Sequence, residues 1–292
     1  MEIIIFFIFF TSEKCVELHF ASSVPIIDGF IEELWQMADS AYGFVQNMPY
    51  EKCPPSDETV VYLLQDENNL YVAFRCWTKN TKPVNLMSTK DDAVAVYLDT
   101  FGNKITAYAF VVYVGGGYID GIILDDGRSA DDSWDGVWNY GVKIYDDRYE
   151  VEIKISFKSI HYKKGLNEWG VNFKRDIIVN QEVDYWVEVS QEEGFRVSKF
   201  GVLKGISSNV TGYHFEVYPE GFFRLDKVSL EAAEFKLKGS LNLKWDVTSQ
   251  TTLNATAFPD FAQIESDPFT LNLSQYETYL SERRPFFIEG FE

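Results

Sequence analysis

The feature that most constrains this chain is an alternation of period two, recurring from about residue 16 to residue 206. It runs through short stretches rich in valine, isoleucine, tyrosine and phenylalanine that are broken by acidic turns. Successive side chains of a strand point to opposite faces, so such stretches form sheets with one apolar face each. Two such faces bury one another in a sandwich. Residues 59–64 and 70–76 flank Gln65-Asp66-Glu67-Asn68-Asn69, a turn suited to a hairpin. The series continues through 93–98, 106–114, 118–124, 141–145, 149–155, 169–174 and 185–189. The expected fold is therefore all-β, a β-sandwich. One short N-terminal helix is expected after Pro25-Ile26-Ile27-Asp28-Gly29. There Ile31, Leu34, Trp35 and Ala38 fall at i, i+3, i+4 and i+7 with Asp28 near the cap, and the apolar stripe should plug one end of the sandwich.

Composition changes after about residue 218. Residues 239–247 and 252–258 alternate polar and apolar side chains around Thr248-Ser249-Gln250. A hairpin with one wet and one greasy face suits a membrane barrel wall or a soluble amphipathic hairpin, and pattern alone favours the second. At the other end, residues 3–10 are apolar but too short to span a bilayer as a helix. They have the length of a secretory h-region, although Glu2 stands in place of a basic n-region and no clear small-x-small site follows. Residues 1–15 are read as a truncated signal peptide, with a core strand as the alternative.

Forty-five acidic residues against 26 basic ones give a formal charge of −19, a field that repels phosphate backbones and anionic membranes. No nucleic acid is expected as a partner. Uncharged sugars and hard cations such as calcium remain compatible with it. Cys15, Cys53 and Cys76 form no metal or disulfide framework, and an isolated Cys53–Cys76 bridge is less expected than small buried or loop thiols. His19, His161 and His214 lack zinc spacing, and no nucleophile elbow or phosphate loop occurs.

In the densest acidic stretch, Asp131, Ser133, Asp135 and Gly136 reproduce the opening of a calcium loop. The twelfth position is Val142 where an EF-hand requires a bidentate glutamate. Asp131, Ser133 and Asp135 are thus candidate ligands of Ca2+ in a loop of another kind, or part of a solvated turn. Trp134 and Trp138 beside them could stack on sugar faces or fill the core.

Several ordered motifs carry a resemblance. Pro25-Ile26-Ile27-Asp28-Gly29 with Glu32-Glu33-Leu34-Trp35, Asn69-Leu70-Tyr71-Val72-Ala73, Trp134-Asp135-Gly136-Val137-Trp138, Trp169-Gly170-Val171-Asn172-Phe173 and Ser198-Lys199-Phe200-Gly201 resemble the family 9 carbohydrate-binding modules over residues 24–203. The tail, with Ala257-Phe258-Pro259-Asp260-Phe261-Ala262-Gln263 and Glu282-Arg283-Arg284-Pro285-Phe286-Phe287, resembles the opening of the domain of unknown function 5916. In that family the module precedes a region that looks like an outer-membrane β-barrel. The resemblance therefore turns residues 239–258 towards the barrel reading.

What the resemblance implies is a carbohydrate-binding-like sandwich over residues 16–215, a connector over 216–238 and an incomplete barrel-like segment over 239–292. The chain is expected to stop early in this second domain. The implied address is the bacterial cell envelope, at the outer membrane or the periplasm and cell surface, with a carbohydrate or glycan-like ligand. Hydrolysis of O-glycosyl bonds enters by family association alone, with any catalysis outside this fragment; a structural cap of the barrel is the third reading. The sugar-binding positions of the family carry over poorly. Thr89 and Phe195 fall where the family stacks tryptophans, Ala95 where it has glutamate, Val111 where it has arginine, and Lys174 and Ile177 at two further polar positions. The expected carbohydrate-binding residues are Trp134, Trp138, Phe195 and Arg196, where aromatic faces and polar groups could converge.

Overall fold

In the computed structural model, residues 14–78, 91–163, 165–207, 215–226, 234–248 and 251–257 are described. The chain divides into two compact units, residues 1–211 and 212–292. In chain order the first unit forms β1 (Cys15–Glu17), β2 (His19–Phe20), β3 (Asp39–Ala41), β4 (Val45–Met48), β5 (Thr59–Gln65), β6 (Asn69–Trp77), β7 (Ala93–Asp99) and β8 (Ala107–Tyr113). It continues with β9 (Tyr118–Leu124), β10 (Ser129–Asp131), β11 (Trp138–Ile144), β12 (Arg148–Ser156), β13 (Glu168–Ile177), β14 (Glu182–Tyr185) and β15 (Gly201–Lys204).

The larger sheet has the order β1-β15-β13-β7-β8-β9-β10, with β14 paired to β13 and β4 to β14. The smaller has the order β11-β12-β6-β5-β2, with β3 on β5. Their apolar faces meet in the expected sandwich. Val94, Val96 and Leu98 of β7 alternate inward against Val72 and Phe74 of β6 and Val151, Ile153 and Ile155 of β12, all essentially inaccessible. Each such side chain contributes roughly 1.5–3 kcal/mol on burial. Phe74 and Phe173, one from each sheet, meet edge to face at 5.9 Å and 84°, a favoured aromatic geometry. At one end of the core Arg175 is fully buried, and its guanidinium donates to Tyr149 Oη, Glu58 O, Thr59 Oγ1 and Trp77 O. Cys15 and Cys53 are exposed and Cys76 is buried, all three as free thiols.

The expected helix is a single 3-10 turn, Glu33–Met37. Asp28 does not cap it; its carboxylate accepts from Phe30 N at 2.9 Å. The reason is a competing set of acceptors on β12. Glu152 takes the Asp28 and Gly29 amides at 3.1 and 2.9 Å and the Trp35 indole N–H at 3.0 Å, while Glu150 takes the Ile31 amide at 3.1 Å. Backbone donors that a longer helix would use are thus bound to the sheet. Gly29, at φ +83°, lies so flat on β11 that a Cβ there would collide with the Val142 backbone. The segment's apolar residues Ile31 and Trp35 do not plug an end of the sandwich. They cover the outer face of the smaller sheet, on Leu64, Tyr71 and Ala73.

The second unit contributes β16 (Phe215–Asp226), β17 (Glu234–Thr248) and β18 (Thr251–Ala257), an antiparallel meander in the order β16-β17-β18. Part of the interval read as a connector is therefore strand: β16 pairs with β17 over its whole length, from Phe215↔Trp245 to Asp226↔Glu234. Pro219 and Gly221 hid it, because both depress strand propensity unless a partner strand holds them. Among the described residues none of the three sheets closes into a barrel. Residues 1–13 and 258–292, which hold the signal-peptide reading and most of the tail motif, lie outside the described residues.

Candidate functional site

The four residues expected to bind sugar do not converge. Tyr108 and Phe110 of β8 point into the core, whereas Tyr97 of β7 points out of the larger sheet. The Trp134 ring lies 4.8 Å from Tyr108 and 5.8 Å from Phe110, and Trp138 lies 5.3 Å from Phe110. These indoles seal the rim of the core, and the Trp138 N–H is committed to Asp120 at 3.0 Å. Phe195 lies on the other side of the sheet, 4.7 Å from Tyr97, 5.4 Å from Phe200 and 5.9 Å from Tyr185. Arg196 turns its Nη1 to Phe195 O at 3.1 Å, and the cleft beside it measures about 10 Å³, room for one water.

The acidic loop serves this outer segment. Asp125, Asp126 and Gly127 take consecutive left-handed conformations, φ 50°, 59° and 90°. They bring the Asp126 carboxylate to the Ser198 amide at 2.8 Å and the Ser198 hydroxyl at 3.1 Å. A Cβ at Gly127 would collide with Phe195 O. Further along, Asp131 accepts from Ser133 N at 2.9 Å and Ser133 Oγ at 2.6 Å, which holds its carboxyl below the ordinary value. Ser133 thus bonds the Asp131 carboxylate with both its amide and its hydroxyl. Among the described residues no group of three or more His, Cys, Asp or Glu is placed to hold a metal ion.

Register brings together residues that spacing could not. On the outer face of the larger sheet Val111, Ala95, Lys174 and Tyr185 form one rung across β8, β7, β13 and β14, and Tyr113, Ala93, Asp176 and Val183 form the next. Lys174 Nζ bonds Asp176 Oδ2 at 2.8 Å, with the two side chains 23% and 21% exposed. Burial, and Asp176 beside it, raise the Tyr113 hydroxyl above its ordinary pKa. Burial and the same carboxylate raise Tyr185. The result is a reachable ion pair among three tyrosines, Tyr97, Tyr113 and Tyr185. The alternation Asn172, Lys174, Asp176 between Val171, Phe173 and Arg175 was the available signal, but no spacing in the sequence places Tyr113 or Tyr185 beside it. Thr89 lies outside the described residues.

A larger concavity of about 620 Å³ opens on the outer face of the smaller sheet, between the 3-10 turn and Tyr62 and Arg75. In the second unit the polarity of the sheet is inverted. Val217, Leu241, Trp245 and Leu253 are 40–47% exposed, whereas Ser240 and Asn242 are buried and Asn242 Oδ1 accepts from Thr256 Oγ1 at 2.6 Å.

These geometries define an open two-sheet β-sandwich, followed in sequence by a β-meander. The first unit has the fold of a family 9 carbohydrate-binding module from Caldicellulosiruptor kristjanssonii in complex with cellotriose, at a TM-score of 0.51 and 18% identity, over 67% of this chain and 96% of that one. It also matches a candidate carbohydrate-binding protein from Bacteroides uniformis ATCC 8492, at a TM-score of 0.54 and 11% identity, over 66% and 99%. Residues 215–292 match the domain of unknown function DUF5916. No curated protein matches the chain.

Proposed function

We propose that the first unit is a non-catalytic saccharide-binding module of a bacterial cell-envelope protein, and that the second begins a barrel held in the outer membrane. The observation that carries the first part is the Lys174–Asp176 pair, set on adjacent rungs among Tyr97, Tyr113 and Tyr185 in a sandwich of the carbohydrate-binding-module type. A sugar hydroxyl both donates and accepts, so a neighbouring ammonium and carboxylate can hold one or two hydroxyls, while tyrosine faces pack against C–H groups. The second part is supported by the exposed apolar side chains of the meander and the polar ones on its opposite face, the alternation that a lipid-facing wall requires.

The test is calorimetric titration of the whole chain with cellotriose and a panel of neutral oligosaccharides. Lys174→Ala and Asp176→Ala are expected to weaken binding by about tenfold each, the loss of one charge-assisted hydrogen bond. Unchanged affinity in both variants would refute the site. For the membrane part, Leu241→Lys introduced in the complete protein should deplete the outer-membrane fraction, because a lysine on a lipid face costs about 2–4 kcal/mol. Undiminished membrane integration would refute it.

A further inference from the structure

We infer that the concavity over the smaller sheet is a second ligand site, separate from Lys174 and Asp176, and that it takes a neutral, hydroxyl-rich ring such as a pyranose. Its volume of about 620 Å³ lies in the range of small-molecule sites. Two aromatic side chains line it: Phe30, 43% exposed, and Tyr62, over which Arg75 lies at 5.7 Å from the ring centroid. Trp35 forms the buried floor, fixed by its indole bond to Glu152. Such a wall suits the C–H face of a sugar.

The polar groups narrow the ligand class. Arg75 directs Nε to Glu150 at 2.8 Å, and its side chain is 27% exposed on the lining. The rigid guanidinium fork presents further donors from there. Glu33 and Gln36 supply acceptors on the same lining, and one Glu32 oxygen is buried with no donor. Donors and acceptors facing one another across an aromatic wall match hydroxyls, each of which does both.

An anion fits less well. Glu150 offsets part of the Arg75 charge, being shared with Arg148, while Glu32 and Glu33 add two carboxylates to the lining in a chain of formal charge −19. A cation would meet the Arg75 guanidinium and Lys143, whose Nζ stands 4.6 Å from the Phe30 ring. The concavity is also too small for a folded protein surface. A neutral polyol ring satisfies all of these constraints together.

The experiment is a two-dimensional NMR titration of the whole chain with glucose, cellotriose and glucuronate, following the Trp35 indole signal and the amides of residues 30–36. Glucose or cellotriose should shift these signals in the wild type and in Lys174→Ala alike. The shifts should weaken about tenfold in affinity in Arg75→Lys, which keeps the charge but removes the fork, and in the exposed pair Phe30→Ala with Gln36→Ala. Shifts confined to the surroundings of Lys174 would overturn this inference and leave the proposed function standing. Shifts at Trp35 alone would do the reverse. A stronger response to glucuronate than to glucose would overturn the neutral ligand class, and no response to any of the three would overturn the site.

Discussion

Asp184 is fully buried, next to Arg175 across the β13–β14 ladder, and neither of its oxygens meets a donor. Its neighbour Glu182 is also a buried carboxylate, and the two can bond each other when one of them carries the proton. Burial, reinforced by the Glu182 charge, pushes the Asp184 carboxyl up to about 7. Burial opposes ionisation of Glu182 too, but the Ser56 amide at 2.7 Å and further hydrogen bonds hold it below its ordinary value. Asp184 is therefore the protonated partner. An acid whose folded pKa is raised contributes stability in full below its unfolded value and loses it as pH rises through the folded value. For a carboxyl moved from 3.8 to about 7 the loss is on the order of 4 kcal/mol. Glu182, shifted down, works in the opposite direction and loses its contribution as pH falls below its ordinary carboxylate range.

Asp184→Asn supplies an amide N–H to Glu182 at every pH and never ionises. Urea unfolding of wild type and variant from about pH 5 to about pH 8 should show wild-type stability falling with pH, with a flatter profile for the variant. Above pH 7 the variant should be the more stable. In a chain of this size the difference reads as roughly 2–4 °C of Tm per kcal/mol. Parallel profiles over the whole range would refute the shared-proton account.

Further expectations follow from single contacts. Gly127→Ala should destabilise the first unit by more than about 1 kcal/mol in urea unfolding, because φ +90° and the Phe195 carbonyl both oppose a Cβ. Trp134→Ala should cost roughly 2–4 kcal/mol in the same assay and leave saccharide affinity unchanged, since its ring packs on Tyr108 and Phe110. Trp138→Phe should cost about 1 kcal/mol, the net worth of the bond to Asp120, which keeps the Gly136 amide at 2.8 Å. Asp131→Ala should lower Tm equally in calcium and in chelator, through the lost turn with Ser133; a calcium-dependent difference would instead support the cation reading of that loop.

The strands were legible because burial of one face imposes a period of two that no other element shares. The residues 59–64 and 70–76 read from alternation become β5 and β6 with their turn in place. The turn at Glu33–Met37 was legible as an apolar stripe but not as a 3-10 segment, since its shape depends on Glu150 and Glu152, more than a hundred residues away in sequence. Trp134 and Trp138 looked like sugar platforms beside an acidic loop, because a half-buried indole and a stacking one read alike in sequence. The face each residue occupies is a property of register, and register is a long-range quantity.

The sequence by itself therefore determined the all-β class, the sandwich and the change of character towards the C-terminus, each of which rests on local periodicity. The tertiary structure decided that Phe195 and Trp134 lie on opposite sides of one sheet and that Lys174 and Asp176 stand among Tyr97, Tyr113 and Tyr185. It also decided that Arg75 and Tyr62 line a concavity with Phe30. These are pairings between distant strands, and which strands pair is settled by the burial of the whole core and not by any stretch of chain alone.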